Sequence, residues 1–186
     1  MDAVGEAMRT VRREWFLPPG QRARAHEDRP LPIGFGATNS QPWTVRYMLG
    51  LLDVRPGQRV LDVGSGSGWT TALLGHLTGP TGSVLGLDVV AELVAFARAN
   101  LGDRMPWVRV AQARPGILGA PEEAPFDRIL VSADGGRVPE ALVEQLAPLG
   151  RLVLPAAQEM VVVTRDADGR LERRVTGELF TFVPLR

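Results

Sequence analysis

The chain contains no cysteine and no lysine. Without cysteine there is no disulfide, no thiolate metal site and no cysteine nucleophile; the composition suits a reducing compartment, and the cytoplasm is the expected location. Net charge is also absent, since 21 Lys plus Arg, all of them arginine, balance 21 Asp plus Glu. No bulk field therefore draws the chain to nucleic acid or to an anionic membrane. No apolar run is long enough to span a bilayer, and the charged start "MDAVGEAMRTVRREWF" lacks the apolar core of a signal peptide. Histidine occurs only as His26 and His76, both read as ordinary polar residues, and no metal site is expected.

A chain of 186 residues suffices for one domain with a substantial core. Residues 2 to 13 read as a helix with Val4, Met8 and Val11 on one face. The stretch from Leu17 to Ser40 is rich in Pro, Gly and charge and is expected to be irregular. "QPWTVRYMLGLLDV" reads as a helix with Ser40 as its N-cap and Pro42 in its first turn. Beyond Pro56-Gly57 strands and helices alternate. Strands are expected at 59–63, 83–88, 107–112, 127–132 and 151–155, and helices at 69–78, 90–101 and 138–147. Such alternation means βαβ units and a mostly parallel sheet. "EMVVVTR" and "RLERRVT" read as an antiparallel hairpin turning at Asp168-Gly169, and "LFTFVPL" as one further strand.

The chemistry gathers at "VLDVGSGSGW". A dinucleotide fingerprint needs G-x-G-x-x-G, but position 69 is Trp and position 71 is Thr. A P-loop needs a lysine the chain does not have. The turn is instead G-x-G-x-G, at Gly64, Gly66 and Gly68, with Ser65 inside it. Asp62 ends the strand before the turn, where it could receive a cationic amino group. Asp88 ends the next strand, where an acid can accept from both ribose hydroxyls, with Val89 following. An amino-acid end, a ribose and no phosphate describe S-adenosylmethionine. The bland alternative is a tight structural turn between solvated acids.

"DRPLPIG", "SQP" and the closing "FVPL", with "AMRTVRREWFLP", "VRPGQRVLDVGSGSGWTTALL" and "VPEALVEQLAPLGRLVLP", make the sequence resemble the protein-L-isoaspartate O-methyltransferase family over almost its whole length. The resemblance implies an α/β, Rossmann-like class I methyltransferase fold: a mostly parallel seven-stranded sheet, an antiparallel C-terminal hairpin and an N-terminal helical extension. It divides a single domain, 1–186, into an acceptor-side segment (1–55) and a cofactor core (56–186). It also implies methyl transfer from S-adenosylmethionine to a carboxylate at damaged Asp or Asn in a protein or peptide, by a monomer. Ser40 matches the family's characteristic serine, so it is at once a candidate site residue and a candidate helix cap. Thr38, Asn39, Ser132 and Gln158 are the implied substrate contacts, with Gln158 read equally well as a solvated loop amide. Trp69 is the aromatic expected in the crevice, while Trp15, Phe16 and Trp43 are expected in the core.

The sequence departs from the family where ligands would sit. The usual "GHGQTIS" is "GFGATNS", which introduces Phe35, Ala37 and Asn39. The usual "GDG" after the third core strand is "AQARPG", so Arg114 or Pro115 stands at the acidic adenine-side position unless Gln112 substitutes. "SADGG" adds Asp134, expected near the crevice mouth, and "LPVG" becomes "LPAA". These changes keep rivals open: a specialised methyltransferase acting on a peptide aspartate, a small molecule or a nucleic acid, or a binding module that kept the fold without catalysis. Neutral charge and the lack of a basic stripe weigh against nucleic acid.

Overall fold

The computed structural model describes residues 2–185; Met1 and Arg186, the ends of the expected 1–186 unit, lie outside the described residues. Helix α1 (Ala3–Thr10) is capped by Asp2, whose side chain accepts from Gly5 N–H at 2.8 Å. The irregular stretch that follows has more order than its composition suggests. After two short 3₁₀ turns, β1 (Leu31–Gly34) and β2 (Ala37–Asn39) pair antiparallel in a small separate hairpin. Its turn residues, Phe35 and Gly36, both have positive φ, the geometry that suits a tight hairpin. Helix α2 (Pro42–Leu52) then buries Val45, Met48, Leu49 and Leu52, three and four residues apart on one face.

The remaining strands are β3 (Arg59–Val63), β4 (Ser83–Asp88), β5 (Val108–Gln112), β6 (Phe126–Val131), β7 (Leu146–Ala156), β8 (Glu159–Arg165) and β9 (Leu171–Leu179). They form one seven-stranded sheet in the order β5-β4-β3-β6-β7-β8-β9. The first five run parallel, and β8 is antiparallel to both neighbours. Helices α3 (Trp69–Thr78) and α4 (Ala91–Leu101) make the crossovers on one side.

Period two sorts the core. Val60, Val84, Leu130, Val153 and Val162 meet α1 to α4 on one face of the sheet. Their neighbours Leu61, Leu85, Ile129, Leu152 and Val163 meet Leu142 and Val143 of the short helix α5 (Glu140–Val143) on the other. Two expectations fail here. The helix foreseen at 138–147 stops after Val143, because β7 begins at Leu146 and pairs with β6. "LFTFVPL" is not a strand. β9 already extends to Leu179, and the residues beyond it pack along the sheet end through Phe180 N–H to the Gln158 carbonyl (2.7 Å) and an isolated bridge between Asp134 and Pro184.

Candidate active site

Strand order reverses at β3, which has β4 on one side and β6 on the other. A crevice is expected outside the carboxyl ends of strands at such a point, and a cleft of about 1710 Å³ opens there, lined by Val63, Gly64, Leu87, Asp88 and Ser132. Gly66 and Val89 line it as well.

The glycine turn is wound in on itself. Gly64, Gly66 and Gly68 all have positive φ. A Cβ on Gly66 would lie 3.3 Å from Ile33 Cδ1 of β1, and one on Gly68 would lie 3.1 Å from Ala97 Cβ of α4. The Gly64 and Ser65 amides both donate to the Leu87 carbonyl (2.8 and 2.9 Å), Gly68 N–H donates to Ser65 O (2.8 Å) and Gly66 N–H to Asp88 Oδ2 (2.9 Å). A phosphate nest needs free amides, and these four are spent. The turn therefore suits a cofactor whose contact with it is steric and uncharged.

Asp88 is buried but borders the cleft. Its Oδ1 accepts Val90 N–H at 2.9 Å and its Oδ2 accepts Gly66 N–H, which fixes the carboxylate and leaves each oxygen a further lone pair for a diol. Asp62 is fully buried behind the turn, outside the cleft lining. Thr71 Oγ1 donates to its Oδ2 at 2.6 Å, while its Oδ1 has no partner, and neither does the buried Ser65 hydroxyl. Burial pushes the Asp62 carboxyl up to about 7, against the pull of the Thr71 hydrogen bond and with a further push from Asp88. An orphaned, proton-hungry carboxylate oxygen beside a steric cradle and a fixed acid fits a cofactor with a cationic amino group, a ribose and no phosphate.

At the end of β5, Gln112 donates from Nε2 to the Val89 carbonyl at 3.3 Å and lines the cleft, as do Arg114 and Pro115. Arg114 is ion-paired with Glu122. Arg173, across the cleft, is ion-paired with Glu140, whereas Arg137 has no ion-pair partner among the described residues.

Around Ser40 the structure departs most from what the sequence leads one to expect. Ser40 lines the cleft but does not cap α2: the N-cap position is Gln41, without a side-chain cap bond, and Asp28 Oδ1 instead accepts Trp43 N–H at 2.8 Å. Only the Ser40 carbonyl is engaged, by Arg13 Nη2 at 3.0 Å. Thr38 lines the cleft. Asn39 is buried beneath it, bonded to Arg13 and Ser67. Gln158, at positive φ in the β7–β8 turn, is exposed and outside the cleft lining. Asp134 is also outside it; its carboxylate is occupied by the Gly136, Ala157 and Gln158 amides. Trp69 is core: its Nε1 donates to the Val11 carbonyl at 3.1 Å, and Arg13 stacks over its ring. Trp43, expected in the core, is 48% exposed and lines the cleft, stacked on Tyr47 and Phe180. Trp15 is exposed beneath Arg104; Phe16 is buried as expected. Phe35 lines the cleft, in keeping with its place among the changes expected where ligands would sit; Phe180 lines it too and is not foreseen from the sequence. The available signal for Phe180 is the apolar closing segment "LFTFVPL".

The family model for protein-L-isoaspartate(D-aspartate) O-methyltransferase matches residues 1–186. A protein-L-isoaspartate O-methyltransferase of Methanothrix thermoacetophila is 45% identical over 99% of this chain and 88% of its own. One from Methanopyrus kandleri is 46% identical over 98% and 82%. Among solved structures, a Plasmodium falciparum chain described as a protein-L-isoaspartate O-methyltransferase, in complex with S-adenosyl-L-homocysteine, superposes with a TM-score of 0.84 at 26% identity, covering 100% of this chain and 91% of that one. The fold and these full-length matches agree: the chain belongs to the protein-L-isoaspartate O-methyltransferase family, whose methyl donor is S-adenosylmethionine.

Proposed function

We propose that this chain methylates the carboxylate of isoaspartyl residues in proteins or peptides. The observation that carries the reading is the Ser40 hydroxyl: it lines the cleft with Thr38 and Ser132 and has no helix to cap, so it is available to an acceptor carboxylate. S-adenosylmethionine, when bound, would supply a sulfonium methyl for transfer to the acceptor carboxylate, leaving S-adenosylhomocysteine. Asp88 would hold the ribose end, and Asp62, behind the turn and outside the cleft lining, would reach the amino end through water at its orphaned Oδ1. Gly64, Ser65, Gly66, Gly68 and Val89 shape the space between them. Ser40 donates its hydroxyl proton in a hydrogen bond and orients the acceptor. No general base is needed, because a carboxyl with an ordinary pKa of about 4 is ionised at neutral pH; positioning supplies the acceleration.

Residues 1–55 form the acceptor side and 56–186 the cofactor core of a single domain. Exposed Phe35 and Trp43, with Phe180, offer apolar faces to residues flanking the acceptor. Neutral charge supports a protein rather than a nucleic-acid acceptor. We further propose that the chain is a monomer and, from its cysteine-free composition, cytoplasmic; among the described residues no helix is long and apolar enough to cross a membrane. The test is a methyl-transfer assay on paired peptides differing only in Asp versus isoAsp. Transfer to isoAsp alone is expected. Transfer to Asp favours the specialised reading suggested by Phe35 and Asn39, and cofactor binding without transfer to either peptide means a non-catalytic module.

A further inference from the structure

Asn39 is buried and its side chain is engaged at both ends. Its Oδ1 accepts Arg13 Nε at 2.7 Å, and its Nδ2 donates to Ser67 Oγ at 3.1 Å. Ser67 lies between Gly66 and Gly68 of the cofactor turn, and its carbonyl accepts from Asn100 of α4 at 3.0 Å. Arg13, in turn, holds the carbonyls of Asn39 (3.1 Å) and Ser40 (3.0 Å), and those of Glu27 (2.8 Å) and Arg29 (2.7 Å) before the hairpin. A buried guanidinium that holds these backbone carbonyls and the Asn39 side chain ties the path of the segment to that side chain. The acceptor serine and the cofactor turn are thus joined by a continuous buried chain: Ser40 carbonyl, Arg13, Asn39, Ser67.

We propose that Asn39 is a positioning residue that couples the two ligand sites through Ser67, so that occupancy of the cofactor turn raises affinity for the acceptor, and the reverse. The inference rests on the acceptor assignment of the cleft made above. Its physical basis is shared order. A ligand that fixes the glycine turn fixes Ser67, and through Asn39 and Arg13 it fixes the Ser40 carbonyl before the acceptor arrives. The second ligand then has less freedom to remove. Linkage makes the effect reciprocal. A merely structural Asn39 would contribute stability without changing that ratio.

The experiment uses the full chain and S-adenosyl-L-homocysteine, which binds without reacting. Its Kd is measured by calorimetry with and without a saturating isoaspartyl peptide, in the parent, Ser67→Ala, Asn39→Leu and the double variant. The parent should show a coupling factor of at least about fivefold, falling to about one in either single variant with no further loss in the double. Should Asn39→Leu fail to fold, Ser67→Ala decides, since it leaves the Arg13 hydrogen bonds in place. A folded Ser67→Ala protein that keeps the parent's factor overturns the proposal, and so does a parent that binds both ligands without coupling. A parent that binds S-adenosyl-L-homocysteine but no isoaspartyl peptide overturns the acceptor reading itself, and the coupling with it.

Discussion

Asp28 Oδ1 accepts the Trp43 backbone N–H at 2.8 Å, so the carboxylate that caps α2 comes from outside the helix, before the β1–β2 hairpin. Gln41 Nε2 adds a second contact to the same side chain at 3.2 Å. The cap therefore pins the start of α2 to the segment that leads into the β1–β2 hairpin. Asp28→Ala should lower stability by about 1 kcal/mol, and Asp28→Asn by only a few tenths, because asparagine also accepts at a helix N-terminus. Urea unfolding of both variants beside Ser40→Ala checks this. If Ser40→Ala costs as much as Asp28→Ala, the cap has been assigned to the wrong residue.

Phe35 has φ +54° and is 60% exposed, an unusual pairing of backbone strain with a solvated aromatic at the rim of the cleft. A bulky side chain in the left-handed region costs about 1–2 kcal/mol relative to glycine. Strain kept at a ligand site suggests the ring is there for the ligand. Phe35→Gly should leave the fold as stable as the parent or more stable by about 1 kcal/mol, and it should raise the KM for an isoaspartyl peptide with an apolar flank. The KM for a peptide flanked only by glycine should hardly move. Equal KM changes for the two peptides would deny the ring a part in acceptor binding.

The order of elements from β3 to β6 could be read from the sequence, because short apolar strands and amphipathic helices alternate there and glycines punctuate them. Asp88 could be read for the same reason, since a strand-ending acid after a glycine turn has few places to go. The acceptor side could not. Ser40 looks like a cap because a serine before Gln-Pro has the right local chemistry, and nothing local reveals that a distant aspartate takes the role. Trp43 and Trp69 exchange their expected places for a similar reason. Hydrophobicity alone does not say which aromatic faces a cleft, and the Trp69 indole finds its partner in the carbonyl of Val11, far away in sequence. The early end of α5 follows from strand pairing between β6 and β7, a long-range interaction that overrides the helical pattern of "PEALVEQLA".

Asp62 gives the pH dependence a definite sign. Its carboxyl is raised from 3.8 to about 7 by burial, so the folded state holds this proton more tightly than the unfolded chain. The contribution to stability is fully present below pH 3.8 and is lost as pH rises through about 7. Asp62→Asn should flatten the stability profile across that window, as read by urea unfolding at several pH values. A second measurement addresses the ligand. A cationic amino group at Oδ1 favours the carboxylate, so S-adenosyl-L-homocysteine binding near pH 6 should release a proton, seen as a buffer-dependent heat in calorimetry. Asp62→Asn should abolish that release. Proton release that persists in Asp62→Asn would place the amino end elsewhere.

Ser40 is the sharpest test of the catalytic reading. Its carbonyl is held by Arg13 and its hydroxyl caps nothing, so Ser40→Ala should leave stability within about 0.5 kcal/mol of the parent. Loss of one hydrogen bond to a charged acceptor should lower kcat/KM for an isoaspartyl peptide by about 1.5–3 kcal/mol, or roughly 10- to 150-fold. The affinity for S-adenosyl-L-homocysteine alone should be nearly unchanged, because the glycine turn and Asp88 are untouched. Ser40→Asp separates charge from the loss of a donor. A carboxylate there would repel the acceptor in a cleft where water screens poorly, and activity should fall below that of Ser40→Ala. Steady-state rates on the isoaspartyl peptide, with unfolding curves for the same preparations, supply both numbers. If Ser40→Asp turns over as fast as the parent, the acceptor carboxylate does not lie beside this residue, and Thr38 or Ser132 becomes the group to test.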